Sequence, residues 1–373
     1  MGGGLLQLVA YGAQDVYLTG NPQITFWKLV YRRHSNFSME SIEQSFNGSA
    51  GFDKRITAQI SRNGDLIHKM WLSMTIADGG ATKADVGRIG LAAVKSVELE
   101  IGGQKIDKIY GFSMDIWNEL TLPKGLEDAY EELTNPDAVS GKYYVHVPLE
   151  FYFCRNPGLA LPLIALQYHD VKINIEFDKA AACFKTNASS ATLTEARLWV
   201  DYVFLDTDER RRFSQLSHEY LVEQLQYTGD EALSGTNATV RLNFNHPVKE
   251  LIWVLRQTGD VHKLTYEKEL ESAKLQLNGH DRFAERDGKY FQLIQPFQHH
   301  SRVNVDKGIY VYSFALRPEE HQPSGTLNMS RIDTASLKLT LTSGAAADAV
   351  SVLATNYNVL RIMSGMGGLS YAN

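Results

Sequence analysis

Across 373 residues, few side chains are arranged to do chemistry, and the adjacent pair His299-His300 is the first to weigh. Neutral imidazoles ligate zinc, but a metal set needs further His, Asp or Glu at defined spacing. None accompanies this pair, which follows Pro296-Phe297 in a loop-like stretch and reads as surface or interface histidines. Gly365-Met366-Gly367-Gly368 is glycine-rich, yet no Lys follows and no helix begins there, so it cannot cradle a phosphate. It reads as chain-terminal turns and tight packing. The two cysteines, Cys154 and Cys183, lie in or near apolar strand-like segments without a Cys-x-x-Cys motif. They read as reduced, buried thiols rather than a disulfide scaffold, which fits a reducing cytosol. Asn-x-Ser/Thr triplets occur at Asn36, Asn47, Asn187, Asn237 and Asn328. Of these, Asn187 and Asn237 sit in loop-like stretches and are the candidate glycan acceptors. No catalytic, cofactor-binding or metal-ligating residue is assigned.

Composition narrows the class. Hydrophobic residues make up 44% and charged residues 21%, enough to bury a core in each of two ordinary domains. The net charge of −6 and the lack of a basic stripe argue against direct nucleic-acid contact. The five Trp, eighteen Tyr and sixteen Phe are spread through strand patterns rather than grouped with basic residues, as base stacking would require. The first residues lack a basic leader and a long apolar run, so no secretory signal is expected. Gly2 could invite myristoylation, but Leu6 stands where that motif wants Ser or Thr. The charged run from Asp208 to Arg212 reads as a solvated linker face.

The elements that must position these residues are mostly strands. Trp27, Leu29 and Tyr31 alternate along residues 27–32, and Asn63-Gly64 follows a strand-like run as a hairpin signal. Residues 70–76 form a strand-like run that stops at Asp78-Gly79-Gly80, and residues 97–101 and 171–177 alternate apolar and polar with period two. Helix is scarce: one candidate spans 112–133, interrupted by Pro123 and Gly125, and a short one starts near Asp206. Many short strands with frequent turns give an all-β protein.

A duplication organises them. Residues 96–104 match 272–280, both running from Ser through an alternating strand to a Gly turn. Residues 171–177 match 337–341, 198–205 match 353–360, and 67–71 match 248–252. In chain order the separations are 181 (67 to 248), 176 (96 to 272), 166 (171 to 337) and 155 (198 to 353). A steady decrease is what one fold with shorter loops in its second copy produces. The predicted division is an arm at 1–25, a first domain at 26–206, a linker at 207–218 and a second domain at 219–373. About eight strands per copy in two stacked sheets is most economically a jelly roll. The expected fold is two tandem eight-stranded jelly rolls with a few short helices in loops.

The segments 7–26, 157–166, 241–247 and 356–369 resemble the major capsid proteins of nucleocytoplasmic large DNA viruses, closest to the algal-virus and iridovirus group. They include Gly12-Ala13-Gln14-Asp15-Val16-Tyr17, Pro157-Gly158-Leu159-Ala160-Leu161-Pro162, Asn243-Phe244-Asn245-His246-Pro247 and Asn356-Tyr357-Asn358-Val359-Leu360-Arg361. That resemblance implies a double jelly roll that trimerises into pseudo-hexagonal capsomers tiling an icosahedral shell around an internal lipid membrane. It implies neighbouring capsomers, minor capsid proteins and penton proteins as partners, with the N-terminal arm on the inner side, and virions assembled in the host cytoplasm. The membrane would be met only indirectly. Loops of the second half, for instance between Gly259 and Ser272, are short against larger members, which implies a flatter outer surface.

Two other classes compete. A trimeric glycan-binding jelly roll of a spike or adhesin predicts a surface cluster of aromatic and Asp/Asn side chains and no lateral tiling. A metalloenzyme of the cupin type lacks its ligands here. A minor capsid protein remains an alternative within the structural class.

Overall fold

The computed structural model describes residues 2–83, 88–186, 188–257 and 264–371. It comprises two units, Met1–Asn36 and Phe37–Asn373. The first unit carries short helices at Gly3–Val9 and Val16–Thr19. The strand expected at 27–32 is not formed: Trp27, Leu29 and Tyr31 are 89%, 94% and 78% exposed and no strand is assigned there. Alternation specifies which way side chains point in an extended segment, but a strand also needs a neighbour to take its backbone hydrogen bonds.

In the second unit, strands β1 (Phe37–Gln44), β2 (Arg55–Gln59), β3 (Leu66–Ala77), β4 (Val94–Ile101), β5 (Gln104–Tyr110), β6 (Lys142–Pro148), β7 (Val171–Phe177) and β8 (Thr192–Leu205) build the first roll. One sheet has the order β1-β8-β3-β6 and the other β2-β7-β4-β5, all antiparallel. The second roll uses β9 (His218–Ala232), β10 (Asn237–Arg241), β11 (Pro247–Arg256), β12 (Leu270–Leu277), β13 (His280–Asp281), β14 (Ile309–Ser313), β15 (Ala335–Leu341) and β16 (Ala349–Met363). Its sheets run β9-β16-β11-β14 and β10-β15-β12-β13. The two orders are the same permutation of chain order, so the chain is two tandem jelly rolls. Two-residue strands at 46–47, 161–162, 286–287 and 327–328 extend the sheet edges, and β17 (Met366–Leu369) folds back on β16.

Period-two patterning accounts for the cores. In β3, Met70, Leu72, Met74 and Ile76 point inward, and in β7 so do Val171, Ile173, Ile175 and Phe177. The second roll closes on Leu251, Trp253, Tyr310, Leu337, Leu339 and Val352. Three turns join paired strands with both residues at positive φ: Gly102-Gly103 (57° and 84°) between β4 and β5, Asn278-Gly279 (48° and 80°) between β12 and β13, and Ser364-Gly365 (53° and 79°) between β16 and β17. Asn63-Gly64 is not the hairpin its composition predicts. The strands it joins, β2 and β3, lie in opposite sheets, and neither residue has positive φ. Gly64 serves close approach instead, since a Cβ there would lie 2.9 Å from that of Tyr202.

The matched segments occupy the same places in the two rolls, with corrections of register. Trp71 faces Trp199, but Ile252 faces Leu353 rather than the Ala354 that the repeat aligns with Trp199. A one-residue slip exchanges faces. Trp199 points outward while Ala354 lies in the core, so Leu353 is the true counterpart. Leu99 faces Ile173, whereas Leu275 faces Leu337, two residues from the aligned Leu339, which preserves the face. Around the first of these shifts the two copies carry their bulges at different points, between Val200 and Tyr202 in one and between Val248 and Glu250 in the other.

The helices lie between strands. Pro123 splits the candidate at 112–133 into α1 (Gly111–Thr121) and α2 (Glu127–Thr134). α3 (Thr207–Gln215) links the rolls, with the Asp206 carboxylate accepting from the Thr207 N–H. A π-helical turn (Tyr290–Ile294) leads into α4 (Gln295–His299).

Candidate functional site at the junction of the rolls

α1 follows β5 of the first roll and lies on the outer face of the second roll's β9-β16-β11-β14 sheet. Ile116 and Leu120, four residues apart and so on one helical face, pack with Ile252, Val254, Ile309, Val311 and Leu353. Burying these two side chains contributes roughly 2 kcal/mol each. The sheet is thus covered on both faces, and nearly every residue of β11 is buried as a result. The hairpin of β16 and β17 makes a second tie, in which the Tyr168 N–H donates to the Gly365 carbonyl at 2.9 Å. The glycines there permit tight packing: a Cβ on Gly367 would lie 2.6 Å from Leu166.

Charge is concentrated at the same junction. Arg88 Nη1 is 2.6 Å from Asp115 Oδ1 and 2.8 Å from Glu119 Oε1, both carboxylates standing on α1. Lys307 of the second roll reaches the same two groups at 3.1 and 3.0 Å, and the Tyr266 hydroxyl donates to Asp115 at 3.0 Å. Burial disfavours the Glu119 anion, but Lys307 and Arg88 outweigh it and hold its pKa below the usual range. A second network pairs Lys249 with Glu223 at 2.8 Å and Glu223 with Arg155 at 3.4 Å, the latter guanidinium stacked on Trp117. Burial opposes the Glu223 anion, yet His321, Lys249 and Arg155 bring its pKa down to about 2.

Of the residues singled out by sequence, His300 is placed unexpectedly. Its side chain is fully buried, not a surface group, with Nε2 3.1 Å from Glu250 and Nδ1 3.1 Å from Glu319. His299 is half-buried with Nδ1 3.0 Å from the Leu316 carbonyl. Burial lowers the His300 pKa, but the two carboxylates dominate and raise it from 6.5 to about 9. A raised pKa stabilises the fold fully below 6.5 and stops doing so as pH rises through about 9. Wild type is therefore expected to lose about 3 kcal/mol relative to His300→Gln between neutral pH and pH 10. Urea unfolding of both proteins across that range checks this, and parallel curves would refute it.

Cys154 and Cys183 are both buried. Asn237 is exposed and begins the edge strand β10 instead of lying in a loop; Asn187 and Gly259 fall outside the described residues. In the charged run, Arg210 pairs with Asp65 at 3.0 Å. Among the described residues no group of three or more His, Cys, Asp or Glu is placed to hold a metal, and no helix is long and apolar enough to cross a membrane. Sequence reasoning missed both charge networks. Their signals were Asp115 and Glu119 spaced i, i+4 beside the apolar Ile116 and Leu120, and Lys249-Glu250 inside an apolar strand.

Comparison with known proteins sets this geometry in a family. A family model described as large eukaryotic DNA virus major capsid protein matches residues 209–368, and one described as major capsid protein N-terminus matches 25–206. The chain is 57% identical over 405 residues to the major capsid protein of Pyramimonas orientalis virus, with 100% of each chain covered. It is 45% identical over 442 residues to that of Paramecium bursaria Chlorella virus 1, again with 100% of each covered. Among solved structures, a chain of the quasi-atomic PBCV-1 virus capsid model superposes with TM-score 0.82 at 40% identity, covering 94% of this chain and 100% of that one. The Faustovirus major capsid protein shares the fold at 13% identity, with TM-score 0.77 over 95% of this chain and 94% of that one.

Proposed function

From the premise that the chain belongs to the family of large eukaryotic DNA virus major capsid proteins, we propose that three copies form a pseudo-hexagonal capsomer that tiles an icosahedral shell. Its role as a structural protein of the virion shell follows from the family itself. The carrying observation for the capsomer is that one strand order occurs twice in the chain. Three chains then supply six similar wedges, and a closed ring of them fills a hexagonal lattice site. The functional division is an arm at 1–25, a first roll at 26–206 whose sheets begin at Phe37, a linker at 207–218 and a second roll at 219–373.

Partners in this reading are neighbouring capsomers, minor capsid proteins and penton proteins, the arm supplying contacts on the inner side. Assembly takes place in the host cytoplasm, a reading that a chain with only two cysteines, both buried, supports. Asn237, exposed within Asn237-Ala238-Thr239, is the proposed glycan acceptor within the described residues. Mass measurement with negative-stain imaging tests the capsomer: the expected particle has roughly three chain masses and a hexagonal outline. A stable, dispersed monomer overturns it, and a trimer that never packs laterally favours the adhesin reading.

A further inference from the structure

The second roll's outer sheet face is covered from within the chain, while its counterpart on the first roll is open. Strand register defines the counterparts. In the second roll, Tyr227, Leu353, Ile252 and Val311 form a row across β9, β16, β11 and β14. In the first, the row is Glu43, Trp199, Trp71 and Pro148 across β1, β8, β3 and β6. α1 sits on the former through Ile116 and Leu120. On the latter, Trp71 and Trp199 stand side by side, half-buried, with Met39 (49%) and Tyr144 (50%) exposed on the same face.

The helices show the opposite asymmetry. α1 lies between the fifth and sixth strands of its roll, and the segment Tyr290–His299 lies between the fifth and sixth strands of the other. Where α1 buries Ile116 and Leu120, the second-roll segment leaves Ile294 (46%) and Phe297 (80%) exposed, three residues apart and so on one face. Leu316 (72% exposed) stands beside them, its carbonyl bound to His299. The junction inside the chain uses the first roll's helix and the second roll's face. One helix and one face are left over, equivalent to the pair already joined.

The geometry points to a second copy of this chain as the occupant: Ile294 and Phe297 of one copy seat on the Trp71–Trp199 face of the next. A helix-on-face contact is heterologous, so each copy both gives and receives one, and such a contact must close into a ring or run on as a fibre. If it repeats the rotation of the internal junction, internal and external contacts alternate around six rolls and close after three chains. The assignment rests on the trimer reading and names the residues that make it.

The test measures mass by analytical ultracentrifugation for wild type, Phe297→Asp and Trp199→Glu. Phe297 touches no core, so Phe297→Asp is expected to keep wild-type circular dichroism and melting; Met39→Glu, on an edge strand, stands in if Trp199→Glu unfolds. Each variant alone is expected at one chain mass. Mixed in equal amounts, they retain one sound helix and one sound face between them and are expected at two chain masses. A wild-type trimer whose Phe297→Asp variant also remains trimeric overturns the interface and leaves the capsomer intact. A mixture that stays at one chain mass likewise overturns it. A wild-type monomer overturns both.

Discussion

Trp253→Ala is expected to destabilise the protein by about 4 kcal/mol, measured by equilibrium urea unfolding. Trp253 is 1% exposed and lies between the rings of Phe291 and Tyr310, with centroids 5.1 and 6.1 Å away. Truncation removes the largest fully buried side chain and leaves a void that two flanking aromatics, themselves fixed on β14 and the π-helical turn, cannot fill. Trp253→Phe separates volume from polarity. The indole N–H is buried and has no acceptor among the described residues, so replacing it removes an uncompensated donor along with some packing. The phenylalanine variant should therefore lose less than half of what alanine loses. Equal losses would show that ring volume is not what stabilises this core.

Arg88→Ala is expected to cost a comparable amount, about 4 kcal/mol, by a different route. The guanidinium side chain is 5% exposed and binds Asp115, Glu119 and Glu131, with its carbon 4.9 Å from the Tyr130 ring centroid. Removing it leaves Lys307 and Arg302 to neutralise the carboxylates of α1, of which Asp115 is fully buried. Arg88→Lys keeps the charge without the planar fork and should fall between the two. The deficit has a pH signature. Glu119 is held below its ordinary value of 4.5, so its stabilising contribution is present above that pH and disappears as pH falls through its folded value. The gap between wild type and Arg88→Ala should then narrow on acidification below about 4.5, when the stranded carboxylates take up protons. A gap that stays constant as the pH is taken from 7 to well below 4.5 would locate the loss in packing instead.

Much of the fold was legible because a roll is made of strands whose inward residues alternate: the alternation at 171–177 is uninterrupted, and that at 70–76 is broken only by the outward-facing Trp71. The duplication was legible for the same reason, and it is the stronger inference because four matches keep their order. Its register was not, since bulges near Val200 and Val248 move one copy against the other without leaving a mark in hydrophobicity. Residues 27–32 show the converse: the pattern of a strand was there and no neighbour was. His300 and Asn63-Gly64 failed for a shared cause. Each was judged by its immediate neighbours in sequence, whereas Glu250, Glu319 and Tyr202, which decide their environments, lie 50, 19 and 138 positions away (300 less 250, 319 less 300, and 202 less 64). The candidate interface was the least legible part. An apolar pair on a short helix looks the same whether its own chain or another covers it, and only the structure of the first junction distinguishes Phe297 from a stray surface aromatic.

The strand order also constrains the timetable of synthesis. β16 is threaded between β9 and β11, although about 90 residues (256 to 349) separate it from the latter. Until the ribosome has delivered residue 363, β9 and β11 have no shared partner, and the seat of Ile116 and Leu120 lacks Leu353 and the strand that joins β9 to the rest of the sheet. The first roll can close once β8 emerges, but it does so carrying a greasy helix in water until β11 and β14 have followed, and an incomplete seat for that helix until β16 has. A nascent capsid chain is therefore stickiest midway through its production, and a ribosome stalled between codons 206 and 349 should release a product that aggregates.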